Sequence, residues 1–331
     1  MEFTTGGRLE VRISPDDVGK RVSVRRLAEA GSPGAKFTDT VGVLTSWDNG
    51  VLWITRRSGE VVRIAESTLV AGKVVPSAPA RRRGPAATFE ELARAGARAW
   101  QPVESEPLGE WLLRAAGGFT RRANSALPLG DPGMPVGVAL GHVRDWYAAR
   151  GLPAYVQVAT GAEGTQERLA AELAHHGWSR EVTAQVRIAG LAPIGGLDSD
   201  VSRVALHREC DAGWLSRYQR FTEPGPHVLR VLESGPSVWF ASVAGEGETP
   251  AAIGRCVVDG RWAGFMAVEV DPAYRRQGLA GAVMTALARR ALDEGASAAW
   301  LQVEADNEGA RALYDGMGFA THHSYHHFRP A

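Results

Sequence analysis

The chain is poor in cysteine, in charge excess and in long apolar runs, and each shortage removes a class of function. Its 331 residues hold only Cys210 and Cys256, far apart and matching no metal or redox spacing. A reducing, cytoplasmic setting is the simplest expectation. No run of about 18 apolar residues occurs, and the opening MEFTTGGRLEV has no apolar signal core. The expectation is a soluble, intracellular protein with no membrane role. The 37 basic residues balance 37 acidic ones, which argues against general nucleic-acid binding. Hydrophobic content of 44% is ample for packed cores, and the length predicts two or three domains.

Residues 8–75 read as β structure. Val22 and Val24, then Val41 and Val43, alternate with polar neighbours, and tight turns sit at Asp48-Asn49-Gly50 and Ser58-Gly59. Five or six short strands predict a small SH3-like barrel over residues 1–75. PSAPARRRGP, residues 76–85, reads as an exposed linker, with Arg81, Arg82 and Arg83 as a solvated basic run. From Ala86 onward helical and strand patterns alternate. Thr88 and Glu91 mark a helix start, residues 111–115 read as a strand, and residues 136–150 read as a helix ended by Gly151.

The densest signal is VEVDPAYRRQGLAG, residues 268–281, followed by LQVEADNEGARALYDGMGF, residues 301–319. A β-branched strand runs into Asp271-Pro272, then two arginines and a glycine, then a helical pattern. Gly278 lets the backbone approach an anion closely. The helix N-terminus adds outward amides and positive potential, and Arg275 and Arg276 add charge. The spacing is neither that of a dinucleotide fold nor that of a P-loop.

These two stretches, in order and a helix apart, resemble the GNAT superfamily of acetyl-CoA-dependent N-acetyltransferases. The likeness covers about residues 201–329. With the N-terminal β segment, the layout looks like the actinobacterial N-acetylglutamate synthase-like type with an SH3-like domain. The resemblance implies an α/β GNAT fold with a mixed central sheet. It implies acetyl-CoA as co-substrate, with no metal. Val268, Glu269 and Val270 are expected to present backbone groups to the pantetheine arm. Arg275, Arg276, Gln277, Gly278, Leu279, Ala280 and Gly281 are expected to cradle its pyrophosphate, and Asn307 to contact it or cap a helix. Tyr314 is expected to protonate the departing thiolate or else to pack on the core. A splay between the strand at 268–270 and that at 299–304 is expected to open a slot for the thioester.

An internal repeat is visible as well. GVALGHVRDWYAARG, residues 137–151, parallels GAVMTALARRALDEG, residues 281–295, at an offset of 281 − 137 = 144. YVQV parallels WLQV at 300 − 155 = 145, and Gly177-Trp178 parallels Gly318-Phe319 at 318 − 177 = 141. The expectation is two tandem GNAT-like halves, a degenerate one over 86–191 and a catalytic one over 192–331. The first half's counterpart of RRQGLA is DPGMPV, residues 131–136, with an acid in place of an arginine and prolines that lack an amide hydrogen. Leu173 stands where Tyr314 would.

The general base stays open. The position at which some family members carry a glutamate holds Gln302, which cannot accept a proton, so Glu304, two residues on and on the same strand face, and Glu269 are the candidates, beside a water chain. No cysteine looks placed as a nucleophile, so direct transfer in a ternary complex is expected. FTRRANS, residues 119–125, offers Arg121, Arg122 and Asn124 to hold an acceptor carboxylate, or equally to cap a loop between halves. The resemblance makes glutamate a leading small-molecule acceptor. A protein N-terminus or lysine, or a non-catalytic acetyl-CoA sensor, are the alternatives, and a homo-oligomer stays open. The tail THHSYHHF carries four histidines, expected to face solvent on a last strand rather than to bind metal.

Overall fold

The computed structural model describes residues 10–28, 37–75, 84–218 and 225–331. The linker expected at 76–85, with its arginine run, lies outside the described residues except for Gly84 and Pro85.

The first sheet is made from β1 (Val11–Arg12), β2 (Arg21–Leu27), β3 (Phe37–Asp48), β4 (Val51–Thr55), β5 (Val61–Ala65) and β6 (Leu69–Val74). Its order is β1-β6-β2-β3-β4-β5. Period-two alternation turns Val22, Val24, Leu44, Leu52, Ile54 and Ile64 into one small core. Asn49 and Gly50, at φ 50° and 72°, close the β3–β4 hairpin, the left-handed pair that matches strand twist.

Next come α1 (Phe89–Ala99), the small sheet of β7 (Glu104–Leu108), β8 (Trp111–Ala115) and β9 (Leu127–Pro128), then α2 (Val136–Ala148), β10 (Val156–Thr160), α3 (Glu167–His175), β11 (Trp178–Gly190) and α4 (Leu191–Gly195). The Thr88 hydroxyl caps α1 by accepting the Glu91 amide at 3.1 Å. The remainder holds β12 (Val204–His207), α5 (Ala212–Arg217), α6 (Pro226–Leu232), β13 (Ser237–Val243), β14 (Ala252–Asp259), β15 (Trp262–Val270), α7 (Leu279–Asp293), β16 (Ala298–Glu304), α8 (Glu308–Gly316) and β17 (Ala320–Pro330).

One large mixed sheet joins these elements in the order β10-β17-β11-β16-β15-β14-β13-β12. Strand β11 lies between β16 and β17, and β17 lies between β11 and β10. Each of β10 and β16 is therefore paired with the last strand from the other part of the chain. The registers obey the offsets seen in the sequence. Gln157 faces His327 and Gln302 faces Val186; 302 − 157 = 145 and 327 − 186 = 141. At the centre Ala184 faces Tyr325, and 325 − 184 is again 141. The sheet is thus laid out about a point between these two residues.

Arg255, in mid-β14, is fully buried. Its guanidinium donates to the carbonyls of Leu232 at 2.6 Å, Ala99 at 3.1 Å and Ser234 at 2.5 Å. Ala99 and Leu232 end α1 and α6, so one cation satisfies the free carbonyls of two helix C-termini and sits at their negative poles. Burial lowers this guanidinium to about 9, with Arg122 pushing the same way. It remains a cation at neutral pH.

The tail differs from expectation. His323, His326 and His327 are buried, not solvent-facing. The reason is topological: β17 is an inner strand with partners on both sides, so its side chains meet the layers above and below. The two ring nitrogens of His326 each lie 2.9 Å from a threonine hydroxyl, those of Thr160 and Thr183. The hairpin turn at Gly59 packs directly against this ring, leaving no room for a Cβ. Among the described residues no group of three or more His, Cys, Asp or Glu is arranged to hold a metal.

Burial lowers His323 and His327 to about 3 and His326 to about 4. The folded state keeps them neutral, whereas the unfolded chain takes up protons near the ordinary value of 6.5. Stability from their burial is therefore complete above about pH 6.5 and lost as pH falls towards 4, by roughly 1.4 kcal/mol per histidine per pH unit. Denaturant unfolding at pH 7.5, 6.0 and 5.0 is expected to give a steep fall below 6.5. A flat profile over that range contradicts this reading of the tail.

Candidate active site

Strand β15 leads into one turn of 3-10 helix, Pro272–Tyr274, and then into the Arg275–Gly281 loop. The Asp271 carboxylate starts the turn by accepting the Ala273 amide at 2.8 Å and is paired with Arg217. Arg276 and Gly278 are both left-handed, at φ 61° and 77°, which bends the chain on either side of Gln277. A Cβ on Gly278 would meet nothing within 4 Å. Backbone conformation and an open approach, not crowding, ask for glycine here. Gly278 is the N-cap of α7, and the helix ladder opens with the Ala282 amide donating to the Gly278 carbonyl at 3.0 Å. The amides of Leu279, Ala280 and Gly281 precede that bond and point out of the helix. Arg275, Arg276 and Gln277 are exposed around them.

Above this loop the sheet opens. The parallel pairing of β15 with β16 runs from Trp262↔Ala298 to Phe265↔Leu301 and stops there. On its other side β15 bulges: Ile253 faces Glu269 and Arg255 faces Met266, so Ala267 and Val268 oppose Gly254 alone. Ala267 is left-handed at φ 51°. The bulge turns the side chains of Val268 and Val270 towards the α7 layer and places Glu269 on the opposite face. Helix α7 comes so close to Gly254 that a Cβ there would lie 2.5 Å from Val283.

Helix α8 flanks the gap. The Asn307 side chain accepts the Ala310 amide at 3.1 Å, which makes it the N-cap. Tyr314 is half-buried against the α7 layer, 5.8 Å from the Phe319 ring in an edge-on contact. Burial raises its phenol to about 12, with Arg187 acting in the opposite direction, so the phenol keeps its proton at neutral pH. Arg187 comes from β11. It donates to the Arg311 and Phe319 carbonyls at 3.2 and 2.9 Å and pairs with Asp315, gripping α8 on both sides of Tyr314.

Behind the gap, Arg122 donates to the side-chain oxygen of Gln302 at 2.6 Å and lies over the Trp100 ring at 4.6 Å. Gln302 is the first β16 residue past the end of the parallel ladder. Arg121 turns elsewhere, to Glu181 at 3.3 Å and over the Tyr155 ring at 5.6 Å. Asn124 is buried; its oxygen accepts the Ala116 and Gly118 amides at 2.8 and 3.0 Å, and its nitrogen donates to Phe119 and Thr120 carbonyls, both at 2.8 Å. That side chain builds the loop carrying the two arginines. Glu304 ends β16 opposite Ala184 and is exposed. The thiols of Cys210 and Cys256 are buried and pushed up to about 12 by that burial, so neither supplies a thiolate at neutral pH.

The counterpart loop before α2 is built for the opposite charge. The Asp131 carboxylate accepts the Gly133 amide and Glu110 accepts the Asp131 amide, both at 2.7 Å. Pro135 sits at the N-cap of α2. Leu173, in the position matching Tyr314, is fully buried in an apolar cluster. Sequence reading passed over three interior arginines, Arg114, Arg187 and Arg255. Each is a lone charge in mid-strand within an apolar run (WLLRAA, AQVRIAG, AIGRCVV), and that mismatch is the signal that could have found them.

A family model described as the C-terminal region of "Probable histone acetyltransferase Rv0428c" matches residues 86–328, and one described as the Rv0428c N-terminal Sm-like domain matches residues 16–73. The Mycobacterium tuberculosis protein of that name is 28% identical over 312 residues, covering 94% of this chain and 95% of that one. Two solved structures share the fold. A GCN5-related N-acetyltransferase from Kribbella flavida has a TM-score of 0.51 and 17% identity over 74% of this chain and 96% of that one. A tandem GNAT protein from the clavulanic acid biosynthesis pathway has a TM-score of 0.51 and 14% identity over 74% of this chain and 89% of that one. The chain belongs to the Rv0428c-like family of GNAT acetyltransferases, acyltransferase enzymes in which a small Sm-like β domain precedes a mixed α/β GNAT region.

Proposed function

We propose that this enzyme transfers the acetyl group of acetyl-CoA to a primary amine by direct attack in a ternary complex, and that the acceptor is a small amine carrying a carboxylate, with L-glutamate the leading candidate. The observation that carries the reading is the break in the β15–β16 ladder after Phe265↔Leu301, beside the outward amides of α7 and next to Arg122. The residues fit the co-substrate: exposed arginines and unpaired amides suit a pyrophosphate, and the freed edge of β15 at Val268, Glu269 and Val270 suits an amide-bearing arm. Acetyl-CoA, when bound, supplies the thioester.

The roles of the protein's own groups follow. Arg275 to Gly281 hold the anion. Backbone N–H groups at the β15 bulge donate to the developing oxyanion. Tyr314 gives its phenolic proton to the departing sulfur. Glu269 or Glu304, directly or through water, takes the proton from the amine; Gln302 is held by Arg122 and has no basic site. The N-terminal β domain, read more finely, is an SH3-like barrel, and residues 86–191 and 192–331 are two tandem halves of which only the second has kept the cofactor chemistry. The acid-lined loop before α2 and the paired registers support that reading, and a cytoplasmic setting suits the co-substrate.

A second reading is favoured by the name of the relative: a lysine or N-terminal amine of a protein as acceptor. Turnover of acetyl-CoA against the free amino acids and against a histone-tail peptide separates the two. Acetylation of amines that carry a carboxylate, with poor turnover of analogues lacking it, is expected. Good turnover of the peptide and none of free amino acids would overturn the small-acceptor reading.

Tyr314→Phe is expected to lower kcat by about 10²-fold, the usual scale for a general acid, while the acetyl-CoA dissociation constant changes little, because the proton is given only as the C–S bond breaks. Unchanged kcat would leave Tyr314 as a packing residue.

A further inference from the structure

A cavity of about 30 Å³ lies between α1 and the middle of the large sheet, at the point about which the sheet is laid out. It is lined by Arg114 and Arg122, by Gln157 and Gln302, and by Tyr325 and His323, with apolar side chains from α1 across from them. No aspartate or glutamate is among its described lining residues. Each arginine reaches a glutamine oxygen in place of a carboxylate. Arg122 donates to Gln302 at 2.6 Å, and Arg114 donates to Gln157 at 2.9 Å and to the Ser125 hydroxyl and carbonyl at 2.8 and 2.9 Å. The two glutamines are the repeat-related pair separated by 145 positions.

Two guanidiniums here line one cavity without an acid. Arg114 is 3% exposed, and a buried cation without an anion is costly. Burial lowers it to about 10, with Arg122 pushing the same way, so it stays protonated at neutral pH. His327 lies alongside, 3% exposed, with neither ring nitrogen bonded. Burial and then Arg114, Arg121 and Arg122 push it down to about 3, which marks the positive potential of the region. A volume of about 30 Å³ holds two or three water-sized centres. That is room for a carboxylate group and not for a whole amino acid. The cavity reaches Gln302, at the lip of the gap between β15 and β16.

We propose that this cavity is a carboxylate subsite, in which Arg114 and Arg122 together take the acid end of a small ligand while the rest of the ligand projects towards the gap. Identification of that ligand with the acetyl acceptor rests on the acetyl-transfer reading; the subsite itself does not. Entry of the carboxylate exchanges the two neutral glutamine oxygens for charge-assisted, bidentate hydrogen bonds. The pairing of Gln157 and Gln302 leaves both guanidiniums held in place but uncompensated, which is the arrangement an anion site needs.

Calorimetric titration of the full-length protein with sodium propionate, and separately with L-glutamate, tests this without turnover. Both are expected to bind. Gln157→Glu places an internal carboxylate on Arg114 at unchanged side-chain size; it is expected to weaken both ligands at least tenfold, to leave acetyl-CoA affinity unchanged and not to lower Tm. Arg122→Gln, at a half-exposed position, is expected to give the same loss and covers the case in which the first variant fails to fold. Propionate binding abolished by these changes, in a protein that acetylates no amino acid, upholds the subsite and removes the acceptor assignment. Absence of propionate binding by the unaltered protein, or affinity unchanged in the folded variants, overturns the subsite even where amino acids are acetylated.

Discussion

The exchange of β11 and β17 is the constraint on which the rest depends. Each of these strands closes the sheet of the other part of the chain, so neither part can complete its core alone. The exchange also fixes the chemistry in space. Because β11 pairs with β16, Arg187 is delivered to the helix that carries Tyr314. Because β17 pairs with β10, Tyr325 lines one cavity with Gln157 and Gln302 and donates to the Gln302 oxygen at 3.3 Å. A strand register thereby sets the positions of side chains that are more than a hundred residues apart in sequence.

Charge is distributed by the same layout. Two buried arginines have structural work: Arg255 closes the C-termini of α1 and α6, and Arg187 clamps α8. The loops before α7 and α2 have opposite electrostatics. The loop before α7 offers amides and exposed arginines, while the loop before α2 has its amides occupied by Glu110 and Asp131 and a proline at its cap. One loop presents open amides beside exposed cations, and the other presents carboxylates and a proline.

Local patterns carried much of this. Alternation in residues 8–75, the cap at Thr88, the helix at 136–148 and the glycine-bearing loop before α7 are all short-range signals, read within one or two turns of chain. The offsets between like segments were legible as well, and the strand registers carry the same offsets. What the sequence could not convey was which strands pair. Nothing in THHSYHHF says that β17 is an inner strand, and so its histidines read as a solvent-facing set. Likewise FTRRANS has the composition of a binding loop, but only tertiary structure separates Arg122, which meets Gln302, from Arg121, which meets Glu181, and from Asn124, whose bonds are consumed in shaping the turn. The partners of Arg114, Arg187 and Arg255 are main-chain carbonyls and distant side chains, invisible to spacing.

The central claim is that a single competent cofactor site exists per chain and that it lies at the loop before α7. The most direct test is the stoichiometry of acetyl-CoA binding to the full-length protein by calorimetry, repeated with a bulky residue at Gly278 and, separately, at Gly133. One site per chain is predicted, lost in the Gly278 variant and retained in the Gly133 variant. Two sites per chain, or one that survives the change at Gly278 and disappears with the change at Gly133 in folded protein, would contradict the account.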